Sequence, residues 1–279
     1  ITISGAEDVD LYGIILAGGA PGTSGVDFAL DGNGNGASDI SITAGEQIRV
    51  ESGIFASGNV TLVGGTPGAD DHWQEAVEVG QPPSTDPNYL SVLVNTSGGI
   101  TAYGLGADGD GSTVSISGGN RMELMGYITS GGRLNQTFEL RDPMDEKSEK
   151  LLVAQDFIWS GRESDIDISS TGRVFIGGST LNEQNELVQT GGYLTASRLI
   201  NVAGGADAQT GTGLLVHAAA EVVTEGRWDY DTNGNRSRLA GGDYSDGTIH
   251  LDGTGDVRMA GTLVAGGRSD MIRDMDGKY

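Results

Sequence analysis

One loop of the chain, LDGNGNGASDI at residues 30–40, has the residue types and the spacing of an oxygen-ligand cation site. Side chains with carboxylate or amide oxygens alternate with glycine, at Asp31, Asn33, Asn35 and Asp39. They stand at positions one, three, five and nine of an EF-hand-like loop, with Gly36 at position six, where a calcium loop turns sharply. Position twelve is Ile42 rather than a bidentate glutamate. The loop therefore predicts a weak calcium site, in which water or a neighbouring carboxylate replaces the missing ligand.

Two further loops carry the same kind of ligands. WDYDTNGNRS places Asp229, Asp231 and Asn233 in the same frame, again without an acid at position twelve. GADGDGSTV places Asp108 and Asp110 two residues apart, just before an apolar strand pattern begins. The alternative for all three loops is that they are only turns, because Asp, Asn and Gly are also the residues that turns favour.

Candidate acid–base groups are few. His72 follows Asp70 and Asp71 in the stretch ADDHW, which could hold a metal ion or an acid–base pair, whereas His217 and His250 stand on predicted strands. His250 takes the outward position of an I-H-L triplet, which favours a solvated surface histidine. The chain has no cysteine, which excludes disulfides and thiolate metal sites. We therefore predict no catalytic residue.

The elements that must hold these loops are short strands, each marked by two apolar residues with one residue between them. The pair Ile249 and Leu251 is followed six residues later by Val257 and Met259, and then by Leu263. The same steps recur in four other places, beginning at Ile1, Ile40, Val114 and Ile166, although the last of these matches fades at Thr180. Such self-similarity indicates a repeat architecture.

Period two determines what one repeat can build. Both apolar side chains of an I-x-I triplet point to one side of a strand, and the middle residue points to the other. Two such triplets and a third apolar stretch make one coil around a common interior. A single coil cannot bury its inner face, so coils must stack, with parallel strands about 4.8 Å apart. The predicted fold is therefore an all-β parallel β-helix, or β-solenoid. Its predicted inward, buried residues are Ile3, Val9, Leu11, Ile42, Ile48, Val50, Ile116, Met122, Leu124, Ile168, Val174, Ile176, Leu251, Val257 and Met259.

The copies are irregularly spaced, which predicts insertions between coils. Stretches at about residues 65–89 and 133–164 break the pattern and are more charged than the repeats. We find no composition shift that divides the chain, and we predict a single β-helical segment over residues 1–279. Because the chain starts inside a repeat with Ile1, we expect this segment to belong to a longer polypeptide.

Composition and charge exclude several classes of function. The 48 glycines among 279 residues disfavour an all-helical protein. The net charge of −23 repels phosphate backbones and anionic lipid, so we expect no nucleic-acid partner. No apolar run reaches the roughly 18 residues that a membrane-spanning helix needs, so we expect no membrane insertion. The same charge favours cations, in agreement with the calcium prediction.

Two stretches resemble a known family. SDISITAGEQIRVESGIFASGNVTLVGG at residues 38–65 and SDIDISSTGRVFIGGSTL at residues 164–181 resemble the haemagglutinin-type repeats of filamentous haemagglutinin-like adhesins, which are giant bacterial exoproteins. The resemblance implies that the β-helix is right-handed. It also implies a secreted or surface-attached fibre in which the β-helix is the stalk.

The predicted function is a structural or adhesive β-helical stalk segment of a large secreted or cell-surface bacterial protein, with calcium as its candidate ion. The expected partners are adjacent repeats of the same polypeptide, neighbouring copies associated laterally in fibres, and glycans or cell surfaces. The alternative is a polysaccharide-degrading enzyme, a lyase or tailspike-like glycoside hydrolase, because the fold alone does not separate the two classes. In that case the insertions would form a groove, and Trp73, Trp159 and Trp228 are its candidate sugar-binding aromatics.

Overall fold

Three parallel β-sheets of seven strands each form the body of the molecule. A computed structural model of the chain describes residues 1–18, 20–22, 25–27, 38–66, 90–104, 111–140, 150–159, 164–181, 187–207, 210–224, 228–230, 236–238 and 247–266. Apart from four hairpins, successive strands join the first, second and third sheet in turn, so three strands complete one coil. The chain is therefore an all-β, right-handed parallel β-helix, as the repeat predicts.

Each coil contributes one strand to each sheet, and we number the coils 1 to 7 along the chain. Sheet A contains β1 (Thr2–Gly5), β6 (Ile40–Ala44), β9 (Val60–Gly64), β12 (Thr113–Gly118), β17 (Asp165–Ser170), β22 (Leu199–Gly204) and β27 (Thr248–Gly253). Sheet B contains β2 (Val9–Leu11), β7 (Ile48–Val50), β10 (Leu90–Val94), β13 (Arg121–Leu124), β18 (Val174–Ile176), β23 (Thr212–Val216) and β28 (Asp256–Met259). Sheet C contains β3 (Ile15–Ala17), β8 (Gly53–Ala56), β11 (Gly99–Ala102), β14 (Tyr127–Ser130), β21 (Tyr193–Ala196), β24 (Glu221–Thr224) and β29 (Thr262–Val264).

Antiparallel hairpins branch from the coils. They are β4 (Ala20–Gly22) with β5 (Gly25–Asp27), β15 (Gly132–Leu140) with β16 (Lys150–Trp159), β19 (Gly178–Leu181) with β20 (Leu187–Thr190), and β25 (Trp228–Tyr230) with β26 (Arg236–Arg238). The β19–β20 hairpin separates the second strand of coil 5 from its third strand, which begins at Tyr193. This is why the sequence repeat fades at Thr180. The other three hairpins all follow a sheet C strand, at the corner where one coil leads to the next.

The interior consists of aliphatic columns that run along the stack. In sheet B, Ile48 pairs in register with Val92, Val92 with Met122, and Met122 with Val174. All four side chains are completely buried. The columns form because the coils pair in register, which places the apolar positions of successive repeats directly above one another.

The end of the stack corrects one prediction. Val257 and Met259 are 42% and 45% exposed, so the prediction that they are buried is wrong. Their strand, β28, is the edge strand of sheet B, and within the described part of the chain no further strand stacks on it. Ile3 and Leu251, also in the end coils, are only partly buried. The other predicted inward residues are buried.

Coil 3 is one of two coils, with coil 6, that the five copies of the sequence repeat do not include. Its first strand contains Val60 and Leu62, both completely buried. Its second strand begins only at Leu90, so the two triplets are not six residues apart and the spacing rule misses them. Residues 67–89 between these strands lie outside the described part of the chain.

Buried serines lie at the corner between sheet C and sheet A. The Ser112 hydroxyl donates to the carbonyl of Ala102 (2.9 Å), and the Ser112 amide donates to the hydroxyl of Ser164 (2.9 Å). The Ser164 amide in turn donates to the hydroxyl of Ser197. These bonds satisfy backbone groups where the ladder is interrupted. Gly131 turns the chain at the same corner with a φ of 85°, which a residue with a Cβ rarely adopts.

Candidate functional site

Most of the predicted calcium ligands lie outside the described residues. They are Asp31, Asn33, Asn35, Asp108, Asp110, Asp231 and Asn233. Asp229 belongs to strand β25, where it pairs in register with Ser237 of β26. Among the residues that the structure describes, no three His, Asp or Glu side chains come together as a metal site. Calcium therefore stays a prediction.

Asp39 is the one predicted ligand of the first loop that lies within the described residues, and it has a structural contact. Its Oδ1 accepts a hydrogen bond from the backbone amide of Asn59 (2.7 Å), and its carbonyl accepts one from the amino group of Ile1 (2.7 Å). These bonds join coils 1 and 2 to the start of coil 3. Asp39 thus acts as a turn residue, whatever the loop before it binds.

The histidines do not form a cluster where they are described. His72 lies outside the described residues. The Nδ1 atom of His217 accepts a hydrogen bond from the amide of Ala219 (3.1 Å), and its ring lies 6.3 Å from that of Phe175. This histidine holds a turn between sheets B and C. His250 is exposed on sheet A, as its outward position predicts.

The outer face of sheet A, which we call the sheet A face, is a flat array of small polar side chains. Outward positions pair in register along all seven strands and form two rows. The first row contains Thr2, Ser41, Thr61, Ser115, Asp167, Asn201 and His250, and the second contains Ser4, Thr43, Val63, Ser117, Ser169, Ala203 and Asp252. None of these residues is buried. Eight of these fourteen positions carry a hydroxyl group, whereas Val63 and Ala203 are apolar positions of the second row.

A groove of about 610 Å³ runs along the second row, beside the corner between sheets A and B. Ser117, Ser169 and Thr171 line it with hydroxyl groups, and Asp252 contributes a carboxylate at its coil 7 end. Glycines form much of the remaining wall, including Gly205. Val63 and Ala203 add apolar side chains to its lining, and the groove is open to solvent.

A hydrogen-bonded polar row flanks this groove. The amide nitrogen of Asn201 donates to Oδ1 of Asp167 (2.8 Å), and Nδ1 of His250 lies 3.1 Å from Oδ1 of Asn201. The three residues lie on the adjacent strands β17, β22 and β27. This row can donate and accept hydrogen bonds at the same time, which is the chemistry needed to bind hydroxylated ligands.

The outer faces of the other two sheets are partly covered. On sheet B, Glu123 and Phe175 point outward but are only 3% and 4% exposed. On sheet C, the outward residues Thr101 and Thr129 are buried, and their hydroxyls are hydrogen-bonded to each other (3.0 Å). Strand β15 of a hairpin lies close to β11 and β14. In the described part of the chain, sheet A is therefore the sheet with an accessible outer face along its whole length.

Neither of the two described tryptophans among the candidate sugar-binding aromatics belongs to a strand of sheet A. Trp159 pairs with Gly132 in the hairpin β15–β16, and Trp228 begins strand β25. Trp73 lies outside the described residues. The sequence signal for the sheet A face was the pair of residues that flank the inward isoleucine in S-I-S (residues 115–117) and S-I-T (residues 41–43), because period two points both flanking residues outward.

Comparisons with known proteins add no assignment. The described residues contain no helix that is long and apolar enough to cross a membrane. No protein-family model matches the chain, and no solved structure matches it.

Proposed function

We propose that the chain is a rigid β-solenoid stalk segment of a large secreted or cell-surface bacterial protein, and that the sheet A face is its adhesive surface. The observation that carries the structural role is the continuous parallel pairing of seven strands in each of three sheets. Each coil is bound to its neighbours by backbone hydrogen bonds and by buried aliphatic columns, which resist bending and proteolysis. The resemblance to filamentous haemagglutinin-type repeats supports the same role.

The stalk role can be tested by single-molecule pulling along the solenoid axis. We expect coils to detach one after another from the loaded end, because each coil is held mainly by its nearest neighbours in the stack. The force-extension curve should therefore contain several separate steps. One cooperative step at low force would contradict the stalk role.

The adhesive role depends on the groove of the sheet A face. Hydroxyl, amide and carboxylate groups along this groove suit a glycan chain, which presents hydroxyl groups at regular spacing. A panel of immobilised polysaccharides tests this directly. Ser169→Trp should fill the groove and abolish binding, whereas Thr96→Trp, at an exposed turn between sheets B and C, should leave binding unchanged. Equal binding by both variants would contradict the proposal.

A polysaccharide-degrading enzyme is the second candidate. The observation that favours it is the pair of exposed carboxylates beside the groove, Asp167 and Asp252, with the Asn201 amide hydrogen-bonded to the first. Cleavage should then produce new reducing ends, or an unsaturated product that absorbs in the ultraviolet if the enzyme is a lyase. Loss of this signal in Asp167→Asn and Asp252→Asn would support catalysis, and its absence in the unaltered protein would exclude it for the polysaccharides tested.

The same proposal includes calcium, as an ion that binds and stabilises the acidic loops. The net charge of −23 along a narrow stack makes repulsion between carboxylates a destabilising force, which a bound cation would offset.

A further inference from the structure

The groove of the sheet A face follows one straight part of the second row of side chains. Its lining includes Val63, Ser117, Ser169, Ala203 and Asp252, and each of these residues pairs in register with the next. They lie on the adjacent strands β9, β12, β17, β22 and β27, and the four ladders between these strands run without a register shift. The groove therefore presents one side chain of this row per coil, at intervals of about 4.8 Å along the solenoid axis.

Most of this row belongs to the body of the stack. Coils 3 to 6 carry four of the five residues, and each of these coils has a described coil stacked on both sides. The groove is open to solvent at these coils because sheet A leaves its outer face uncovered there. Its opening is thus a property of the sheet A face.

Two hydroxyl groups in the row are available to a ligand. Among the described residues, the hydroxyls of Ser117 and Ser169 have no hydrogen-bond partner. The hydroxyl of Thr171, which also lines the groove, instead donates to the carbonyl of Gly119. Ser117 and Ser169 therefore offer donors and acceptors that the fold itself does not use.

Apolar side chains stand on both sides of this hydroxyl pair. Val63 lies beside Ser117, and Ala203 lies beside Ser169. A sugar combines the same two kinds of group, because its ring presents hydroxyls around the rim and C–H groups on its faces. The alternation along the groove therefore suits a sugar chain better than a polymer that is polar throughout.

The charges of the sheet A face favour an uncharged chain. Neither of its two rows contains a lysine or an arginine, and Asp252 is the one carboxylate among the five residues of the groove row. A polyanionic glycan would meet no compensating cation here, and the net charge of −23 would repel it. A glycan with a cation on every sugar would find a carboxylate partner in this row at coil 7 alone.

The spacing of the row selects the shape of the chain. An extended peptide advances about 3.3 Å per residue, so its residues would fall out of step with coils that are about 4.8 Å apart. An extended β-1,4-linked glycan advances by close to one coil spacing per sugar. An α-1,4-linked glycan of the same sugar curves, so it leaves a straight row after a few residues.

We propose that the groove binds an uncharged, extended β-1,4-linked glycan along the solenoid axis, with one sugar at each of coils 3 to 7. The inference rests on the proposed adhesive function, and it adds the class of glycan, its direction and the number of sugars bound. Ser117 and Ser169 form hydrogen bonds with the sugars at coils 4 and 5. Val63 and Ala203 contact C–H groups at coils 3 and 6, and Asp252 accepts a hydrogen bond from a sugar hydroxyl at coil 7.

Isothermal titration calorimetry with cello-oligosaccharides of two to seven sugars tests the number of sugars bound. We expect the affinity to increase by at least about tenfold from two sugars to five, because each added sugar contacts a further coil. Beyond five sugars the gain should be less than about twofold, because the described groove ends. Equal affinities for two and five sugars would overturn the proposal.

Other chains of five sugars test the shape and the charge of the ligand. Maltopentaose is uncharged but α-1,4-linked, and pentamannuronate is β-1,4-linked but anionic. Each should bind at least about tenfold more weakly than cellopentaose. Binding of either one as tightly as cellopentaose would overturn the proposal.

A pair of tryptophan variants tests the direction of the chain. Ser169→Trp blocks the middle of the row and leaves two coils of groove on each side, so the increase in affinity beyond two sugars should disappear. Thr43→Trp is the matched control, because Thr43 is exposed in the same row at coil 2 but does not line the groove. Both positions are exposed, so both variants should keep the melting temperature of the unaltered chain. An increase with length that survives Ser169→Trp, or that is lost in Thr43→Trp, would overturn the proposal.

The adhesive function and this inference fail in different ways. A polysaccharide of the immobilised panel that binds the unaltered chain but not Ser169→Trp would keep the adhesive groove. If cello-oligosaccharides then fail to bind, only the present inference is overturned. If no polysaccharide of the panel and no oligosaccharide binds, both are overturned.

Discussion

Arg121 and Asp207 form a buried ion pair that ties coil 4 to coil 6 across coil 5. Arg121 begins strand β13, and Asp207 lies in the link between β22 and β23. The two residues are only 7% and 4% exposed. The Asp207 carboxylate also accepts a hydrogen bond from the amide of Thr210 (2.9 Å). The contact adds a tie beyond the nearest-neighbour stacking that holds the rest of the solenoid together.

We expect Asp207→Asn to lower the free energy of unfolding by about 3–5 kcal/mol, because it leaves the Arg121 charge buried without its carboxylate. Asparagine keeps the hydrogen bond to Thr210, so the loss reports on the ion pair. Urea denaturation monitored by circular dichroism measures the change. Asp256→Asn is the control, since its pair with Arg258 is mostly exposed and should be worth less than about 1 kcal/mol. Similar losses in the two variants would contradict a special role for the buried pair.

The stability of coil 1 should depend on pH through Asp10. Burial raises the pKa of the Asp10 carboxyl, the Arg49 guanidinium opposes this, and the carboxylates of Asp8 and Glu51 add to the rise. A carboxyl whose pKa is higher in the folded state favours folding when protonated. That contribution is present below the unfolded pKa and is lost as the pH rises through the folded pKa.

Asp10→Asn should therefore raise the melting temperature at neutral pH, and the advantage should shrink as the pH falls through the acidic range. Thermal melts of both proteins at several pH values measure this difference. They should be made at a low protein concentration, so that association does not contribute. A difference that stays constant or grows on acidification would contradict the direction of the pKa shift.

Glycine is required where neighbouring coils approach at the corner between sheets A and B. A Cβ on Gly205 would overlap the carbonyl oxygen of Thr171 in the coil below. We expect Gly205→Ala to cost about 1–3 kcal/mol of unfolding free energy, because the clash is with backbone and not with a flexible side chain. Gly13→Ala is the control, since a Cβ there meets no atom within 4 Å. Equal melting temperatures for the two variants would show that the coils separate easily at this corner.

Truncating a side chain of the aliphatic columns should lower the free energy of unfolding more in the middle of the stack than at its end. Ile48→Ala removes a completely buried side chain and should cost about 2–5 kcal/mol. Met259→Ala should cost less than about 1 kcal/mol in the monomer, because Met259 is already 45% exposed. Denaturation at low protein concentration compares the two. A large loss at Met259 would mean that it is covered in solution.

Calcium should stabilise the chain if the acidic loops bind it. At about 1 mM calcium, a site with a Kd of about 0.1 mM adds about 1.4 kcal/mol. The comparison is a melt in calcium and in excess chelator, for the unaltered chain and for Asp31→Ala combined with Asn33→Ala. Asp39 is left intact because its bond to the Asn59 amide would alter stability without any ion. The same shift in both proteins would mean that this loop is not the site.

Much of the fold could be predicted because one coil is a local pattern. The triplet of Ile40 and Ile42 and the triplet of Ile48 and Val50 each place their apolar side chains on one side of a strand, whatever lies elsewhere in the chain. Since such a coil cannot bury its inner face alone, stacking in parallel follows from the repeat. The sequence by itself thus determined the solenoid, and eleven of the fifteen residues that it predicted to be inward are buried.

Other features depend on which coils become neighbours, and only the tertiary structure decided those. The hairpins, and the long segment before Leu90, change the number of residues between equivalent strands. The repeat spacing therefore did not predict coil 3, nor that Asp167, Asn201 and His250 lie side by side. By period two, Phe175 of β18 points out of sheet B, and Val257 of β28 points into the interior. Yet Phe175 is buried and Val257 is exposed. Local spacing determines the direction of a side chain, but its burial depends on whether another part of the fold covers it.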